Sequence, residues 1–440
     1  MNKPYDPNPA ASRSMALDHL RRHDTDAAEH CFRRLLALVP DDVQALLFIA
    51  GQHVSRGEHQ LAIGALQVAA RARPEDPTIW NQLGFAQSGA GDFAQAADSL
   101  RRGLALAPGV FVARLQLGVA LEQLGQSHEA LKAYFMAIQG AHAQGRWVSD
   151  ATTAPGLRGA VRYAMNYVNK GRHQLFRASF EPLRDRYGSA ELVRVERSLA
   201  IYFGERSADI PDPRQKPKFL YFPDIPSQPF YPRERFPWLD ALEAATATVR
   251  EELREVLAQS QQLEAFLGVQ SPGQTKELLD SSGERPASWD AFFFYRHGIR
   301  YDEHCLRCPQ TTALLDALPL VRIRDHSPET LFSVLSPGTH ILLHTGVTNT
   351  RLVTHLPLIV PNDCAIRVGG EDHVWQEGHC VTFDDTFEHE AWNHSDKTRV
   401  VLILDTWNPD LSEAERLAVT DLVEAIGDFN QSCELPPVSA

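Results

Sequence analysis

The chain has 440 residues, which at roughly 150 residues per domain suggests two or three domains. Its 43 Lys+Arg against 56 Asp+Glu give a formal net charge of −13, which argues against a general nucleic-acid binder, because phosphate contacts need clustered positive charge. Hydrophobic residues at 43% and charged residues at 22% exclude a disordered chain, and no apolar run of about 18 residues marks a membrane span.

The first third is periodic. Pro40, Pro74 and Pro108 are 34 residues apart, and so are Gly57, Gly91 and Gly125. Ala28, Ala62, Ala96 and Ala130 share that period. Each residue type has a physical place in a stack of helix pairs. Pro ends a helix, Gly supplies a left-handed turn, and Ala fits where two helices approach closely. Apolar residues between these marks, such as Leu100, Leu104, Leu117 and Leu121, have helical spacing.

This pattern resembles the tetratricopeptide repeat over about residues 9 to 145. The best copy runs from Trp80 through Leu83, Gly84, Ala96 and Leu100 to Pro108. The first copy departs from it, with His23 in place of the Gly. The resemblance implies an α-solenoid over 1–150, with a concave face for a protein or peptide partner. Segments such as AVRYAMNYVNK and ELVRVERSLAIYF imply further helices over 151–206 that cap the solenoid.

Pro211, Pro213, Pro217, Pro223, Pro226, Pro229, Pro232 and Pro237 then crowd a short stretch. Helix cannot continue through it, so a linker and a domain boundary are expected near residue 207. One amphipathic helix is expected over about 238–266, with Leu239, Leu242, Leu253 and Leu257 among its apolar positions. After Ser288 come short apolar or alternating segments: WDAFFFY, LFSVL, THILLH, RLVTHLPLIV, CAIRV, HCVTF and TRVVLILDTW. Such strands suggest a sandwich, jelly roll or barrel over 207–440, closed by a helix over about 412–429.

The strand region carries His326, His340, His344, His355, His373, His379, His389 and His394. Several His on neighbouring strands of a β-domain raise the odds of a metal. A non-haem Fe(II) oxygenase uses two His and one carboxylate, with a basic residue after the distal His for 2-oxoglutarate. His344-Thr345-Gly346 stands in the first place, His389 in the distal place, and Arg399 ten residues beyond. Gly346 cannot supply the carboxylate. Asp384 and Asp385 precede His389 and read as groups that orient the ligands, or as a direct replacement for the missing one. His340 reads as a buried, satisfied histidine. Cys305 and Cys308 beside His304 lack a second CxxC and read as structural thiols.

The segments PGTHILLHTGVTNTRL, FDDTFEHEAWN and LILDTWNP, with FPDIPSQPFYPRERFPWLDALEAA ahead of them, resemble the aspartyl/asparaginyl β-hydroxylase family of 2-oxoglutarate oxygenases. The resemblance implies a double-stranded β-helix, or jelly roll, for this domain. It puts iron on His344 and His389, with water in the place of the carboxylate. It puts 2-oxoglutarate on Arg399, Ser333 and His355, with Trp289 a further candidate by position. Arg351 would meet a substrate carboxylate, although Val353 stands where the family often has a second Arg.

The implied reaction uses Fe(II), 2-oxoglutarate and O2 to hydroxylate the β-carbon of Asp or Asn in a protein recruited by the repeats. Val353 motivates an alternative acceptor, a small molecule or a lipid-linked chain. A repeat scaffold with a degenerate oxygenase domain is the non-enzymatic alternative. The six cysteines are too few to staple so long a chain, and the N-terminus lacks the apolar core of a signal peptide. Both point to the cytoplasm.

Overall fold

A computed structural model describes residues 8–259, 263–266, 278–281 and 286–433. The chain divides into two compact units, residues 1–172 with 430–440, and residues 173–429.

The first unit holds four helix pairs: α1 (Pro9–Arg21) with α2 (Thr25–Leu38), α3 (Val43–Ser55) with α4 (His59–Ala72), α5 (Pro77–Ala90) with α6 (Phe93–Leu106), and α7 (Phe111–Gln123) with α8 (Ser127–His142). Within each pair one residue turns the chain in the left-handed region. Gly57, Gly91 and Gly125 do so with φ of 75°, 85° and 73°. His23 does the same with φ of 61°, so the first repeat keeps the backbone and forgoes the glycine. Ala28, Ala62, Ala96 and Ala130 are completely buried, as close helix approach requires. Asp42 and Asp76 cap α3 and α5 by accepting from the backbone N–H groups of Ala45 and Thr78, each at 2.9 Å.

The helices after residue 158 are Arg158–Ser179, Glu181–Tyr187 and Val193–Tyr202. The expected cap of the solenoid does not extend through them, because the unit boundary falls after Arg172. Helix Val193–Tyr202 is tied to the second unit. Arg194 pairs with Glu415 and donates to the carbonyls of Asp224 and Asp410, and Ser198 donates to the Tyr221 carbonyl at 2.8 Å.

The proline-rich stretch is a strap rather than a free linker. Lys216 N–H donates to Thr386 O at 2.7 Å, and Phe219 N–H to Val347 O at 2.9 Å. Phe222 is fully buried and exchanges two hydrogen bonds with the Asn349 side chain. Proline forbids helix here, but an extended strap needs only some of its N–H groups. The helix expected over 238–266 is two helices, Leu239–Ala244 and Thr246–Leu257. Thr246 Oγ1 donates to the Glu243 carbonyl three residues back at 2.6 Å, the type of local bond that bends helices.

Two wholly antiparallel sheets follow. The larger runs β1 (Phe230–Tyr231), β11 (Val381–Phe383), β8 (Arg351–Ile359), β13 (Arg399–Trp407), β6 (Thr330–Leu335), β4 (Trp289–Arg296) and β2 (Glu264–Ala265), with β5 (Ile299–Arg300) on β4. The smaller runs β10 (Glu371–Val374), β9 (Cys364–Val368), β12 (His389–Asn393), β7 (Thr339–His344) and β3 (Leu279–Ser281). One apolar cluster joins them, with Leu335, Val353, Phe383 and Val401 from the larger sheet and Ile341, Ile366, Val368 and Ala391 from the smaller. The other face of the larger sheet, Phe332, Val334, Leu402 and Leu404 among it, packs on Leu242, Val249, Leu253 and Leu315 of the flanking helices. Burial on both faces explains why TRVVLILDTW reads as an unbroken apolar run.

Gly84 sits where a Cβ would come within 2.5 Å of Leu100 Cγ. Gly84→Ala is therefore expected to destabilise the repeat unit by about 1–3 kcal/mol through overpacking, read by urea denaturation of the full chain. An unchanged midpoint would show that α5 and α6 are not in close contact there.

Candidate active site

Strand register brings the two iron candidates together. His344 ends β7 and His389 opens β12, and they are paired directly across the ladder. Their ring centroids lie 4.1 Å apart. Each ring is oriented by its own backbone. His344 Nδ1 lies 2.8 Å from Leu342 O, and His389 Nδ1 lies 2.9 Å from Phe387 O. A carbonyl only accepts, so each Nδ1 carries the proton and each Nε2 presents a lone pair. Burial, then the neighbouring His389, pushes His344 down to about 3, and burial lowers His389 too. Both imidazoles are neutral, as metal ligands must be.

Gly346 leaves a space that Asp385 fills. A Cβ built on Gly346 would meet Asp385 Cγ at 2.2 Å. The Gly346 N–H donates to the Asp385 carbonyl at 2.6 Å, which locks the two segments together. The Asp385 Oδ1 atom is buried without a partner, while its Oδ2 lies 3.3 Å from Arg351. Among the described residues no three His, Cys, Asp or Glu side chains gather as a metal cage, so the two imidazoles are the ligand candidates that the geometry brings together. Asp384 is not available as a replacement ligand. Its carboxylate accepts from Thr386 N–H and Oγ1 and from Gln215 Nε2, at 2.9, 2.6 and 2.8 Å. It fastens the strap to the site from outside the cavity. Burial, opposed by those Thr386 bonds, raises it to about 7.

Arg399 opens β13 and is almost completely buried, and among the described residues no carboxylate pairs with it. Its Nη1 reaches Ser333 Oγ at 3.3 Å, and its Nε has no partner. Burial alone brings it down to about 10. Trp289 Nε1 also donates to Ser333 Oγ, at 2.9 Å. Both lone pairs of that hydroxyl are thus used, and its proton is free to donate. His355 lies nearby with an unpartnered Nδ1, kept neutral by burial and by Arg399. A buried cation with an idle N–H, a free hydroxyl proton and an idle imidazole nitrogen form a receptor for a carboxylate. These donors fit a bound 2-oxoglutarate.

A cavity of about 220 Å³ is lined by Ser333, His344, Gly346, Arg351, His355 and Arg399, and also by Trp289, Asp385 and His389. It thus gathers every expected site residue except Asp384. Arg351 is held at 2.8 Å by Asp405 and at 3.3 Å by Asp385. Burial works against its charge, but the two carboxylates raise it on balance. Burial lifts Asp405 to about 6, against the pull of Arg351.

Two residues escape the sequence reading. Asp405 could have been found as a lone acid in the apolar run LILDTW. Trp375, whose ring lies 4.8 Å from the Arg399 guanidinium carbon, carries no such signal. His340 is half-buried rather than buried and lies 2.9 Å from Glu390. Cys305 and Cys308 are buried free thiols, and burial pushes Cys308 up to about 12.

Residues 243–409 match the family described as aspartyl/asparaginyl beta-hydroxylase, and residues 13–77 and 82–146 match the tetratricopeptide repeat. Aspartate beta-hydroxylase domain-containing protein 2 of Homo sapiens is 32% identical over 266 residues, covering 59% of this chain and 68% of that one. The chain belongs to the aspartyl/asparaginyl β-hydroxylase family. The alignments cover 60% to 68% of the length of the domain-containing-protein-2 relatives. An ornithine lipid ester-linked acyl 2-hydroxylase of Rhizobium tropici is 36% identical over 198 residues, covering 44% of this chain and 66% of its own. The human aspartyl/asparaginyl beta-hydroxylase is 36% identical over 138 residues, covering 31% of this chain and 18% of its own.

Two outcomes follow from the geometry. Asp384→Asn would face its amide against the Gln215 amide, and is expected to cost about 1–3 kcal/mol in urea denaturation. Wild-type stability there would detach the strap from this role. His344 has a folded value of about 3 and an unfolded value near 6.5, so the unfolded state binds more protons between them. The stability of the metal-free chain is expected to fall as pH drops from about 6.5 toward 3, with a shallower slope in His344→Gln.

Proposed function

We propose that the chain is an Fe(II)- and 2-oxoglutarate-dependent oxygenase that hydroxylates an unactivated C–H bond. The fold would be a double-stranded β-helix, with β6, β13, β8 and β11 facing β7, β12, β9 and β10. The observation that carries this reading is Arg399, a buried guanidinium that has no counter-ion among the described residues. Such a charge is costly unless a ligand completes it, and a dicarboxylate does so.

In this reading His344 and His389 hold the iron through Nε2. Iron, when bound, supplies the coordination of the 2-oxo acid and of O2 and the oxidising power. The remaining work belongs to the chain. Arg399 and Ser333 grip the far carboxylate of 2-oxoglutarate, with His355 beside them. The carbonyls of Leu342 and Phe387 fix the two imidazoles. The Asp385 carboxylate fills the space that a side chain at position 346 would need, and its Oδ1 stays free to accept a hydrogen bond. Val353, Ile366 and Ile403 line the cavity and exclude bulk water.

The family resemblance favours the β-carbon of Asp or Asn as the acceptor, in a protein held by the repeats. A groove lined by α3, α5 and α7, with Phe85 half exposed in it, supports a role in holding such a partner. A second reading has an observation of its own. Arg351 already carries two carboxylates and Val353 adds no cation, which favours an acceptor without a carboxylate. The Rhizobium tropici relative is by its name an acyl hydroxylase. Six unpaired cysteines support a reducing compartment such as the cytoplasm. The complete carboxylate receptor weighs against a degenerate scaffold.

Succinate release from 2-oxoglutarate by purified protein with Fe(II), ascorbate and O2 tests the reading. His344→Ala should abolish it, and Arg399→Lys should raise the KM for 2-oxoglutarate at least tenfold, about 1.4 kcal/mol. Unchanged succinate production by His344→Ala would sink the assignment.

A further inference from the structure

Most buried polar atoms in a folded chain find a partner, and one that does not calls for a reason. Arg399 Nε, His355 Nδ1 and Trp375 Nε1 all lack a partner among the described residues, and their side chains are neighbours. The Trp375 ring lies 4.8 Å from the Arg399 guanidinium carbon, and its centroid lies 5.8 Å from that of His355. Arg399 and His355 line the cavity beside the histidine pair, and Trp375 stands outside that wall. It follows β10, is 4% exposed, and packs in the apolar cluster that joins the two sheets. One side chain thus backs two groups of the carboxylate receptor.

What else fixes Arg399 is slight. Its Nη1 lies 3.3 Å from Ser333 Oγ and 3.4 Å from Ser333 O, both long for a charge-assisted bond. An acid partner would orient the guanidinium, but it would also neutralise the charge and occupy its N–H groups. Asp405 and Asp385 do that to Arg351. An aromatic face attracts a guanidinium electrostatically and leaves the N–H groups in its plane free, and Trp offers the best such face. A buried indole usually spends its N–H on a hydrogen bond. Trp289 does so on Ser333 Oγ at 2.9 Å, whereas Trp375 has no such partner among the described residues. The placement of Trp375 is therefore set by its ring and not by its N–H.

The geometry points to Trp375 as a positioning residue of the carboxylate receptor: its ring holds the Arg399 guanidinium toward Ser333 and the cavity while leaving the charge open to an anion. This rests on the oxygenase reading, in which that anion is the far carboxylate of 2-oxoglutarate. Trp375 acts through Arg399 and does not touch the reacting atoms. Without the ring the guanidinium would sample other orientations, and each would have to be given up when the carboxylate binds. The loss should therefore fall on 2-oxoglutarate binding more than on turnover of the bound form.

The test uses the full chain with Fe(II) under nitrogen and reads 2-oxoglutarate binding by equilibrium dialysis, with succinate release in air as a second readout. Trp375→Leu should raise the Kd and the KM for 2-oxoglutarate by about tenfold or more, with a smaller fall in kcat. Trp375→Phe keeps an aromatic face and should stay within about threefold of the wild type. Because Trp375 acts through Arg399, the losses of Trp375→Leu and Arg399→Lys should not add in the double variant. If Trp375→Leu does not fold, Trp375→Met takes its place, since it fills more of the space without a ring. A lowered urea midpoint with an unmoved Kd would mark Trp375 as core packing alone and overturn the proposal. So would equal losses in Trp375→Phe and Trp375→Leu, or additive losses in the double variant. No 2-oxoglutarate binding by the wild-type chain would instead overturn the oxygenase reading, and this role with it.

Discussion

The centre of the second unit depends on one uncompensated charge. Arg399 begins the central strand of the larger sheet, and that strand is buried on both faces. A guanidinium there forfeits its hydration and meets no carboxylate among the described residues in return. What surrounds it reduces the penalty without removing it. Ser333 accepts from one nitrogen, the Trp375 ring faces the cation, and His355 stays neutral beside it. The arrangement makes sense as a receptor whose anion arrives with a ligand, because a purely structural Arg would have been given an acid partner.

Arg351 shows what such a partner does. It is half-buried on the same sheet, and Asp405 and Asp385 hold it beside the metal candidates. Two arginines that line one cavity thus have opposite electrostatic states. One is open to an anion and the other is closed. Residue type alone cannot separate them, since both read as carboxylate binders in the sequence.

That limit runs through the whole chain. The 34-residue period, the two-histidine pair and the position of Arg399 were legible, because each is carried by local residue chemistry at fixed spacing. His23 was legible only as a departure. The structure shows that the left-handed turn persists without glycine. The proline cluster signalled an end to helix but not the hydrogen bonds of the strap, which depend on Thr386, Val347 and Asn349 far along the chain. The helix tied to Glu415 was hidden for the same reason, whereas the break near Ala245 turns on a local bond from Thr246 to Glu243. Trp375 and the pairing of Arg351 are tertiary facts, set by which strands lie side by side.

Gly346 links the histidine pair to the ion pairs of Arg351. Its missing side chain is usually read as a ligand lost. Here the space is taken, since the Asp385 carboxylate stands where its Cβ would be. The same carboxylate closes Arg351. A side chain at 346 would have to push Asp385 aside, and moving Asp385 would loosen Arg351. The paired histidines and the matched charge on Arg351 are therefore one packing solution. A chain that restored a carboxylate at 346 would open Arg351 at the same time, and would change the surroundings of the two histidines and the charge of the cavity together.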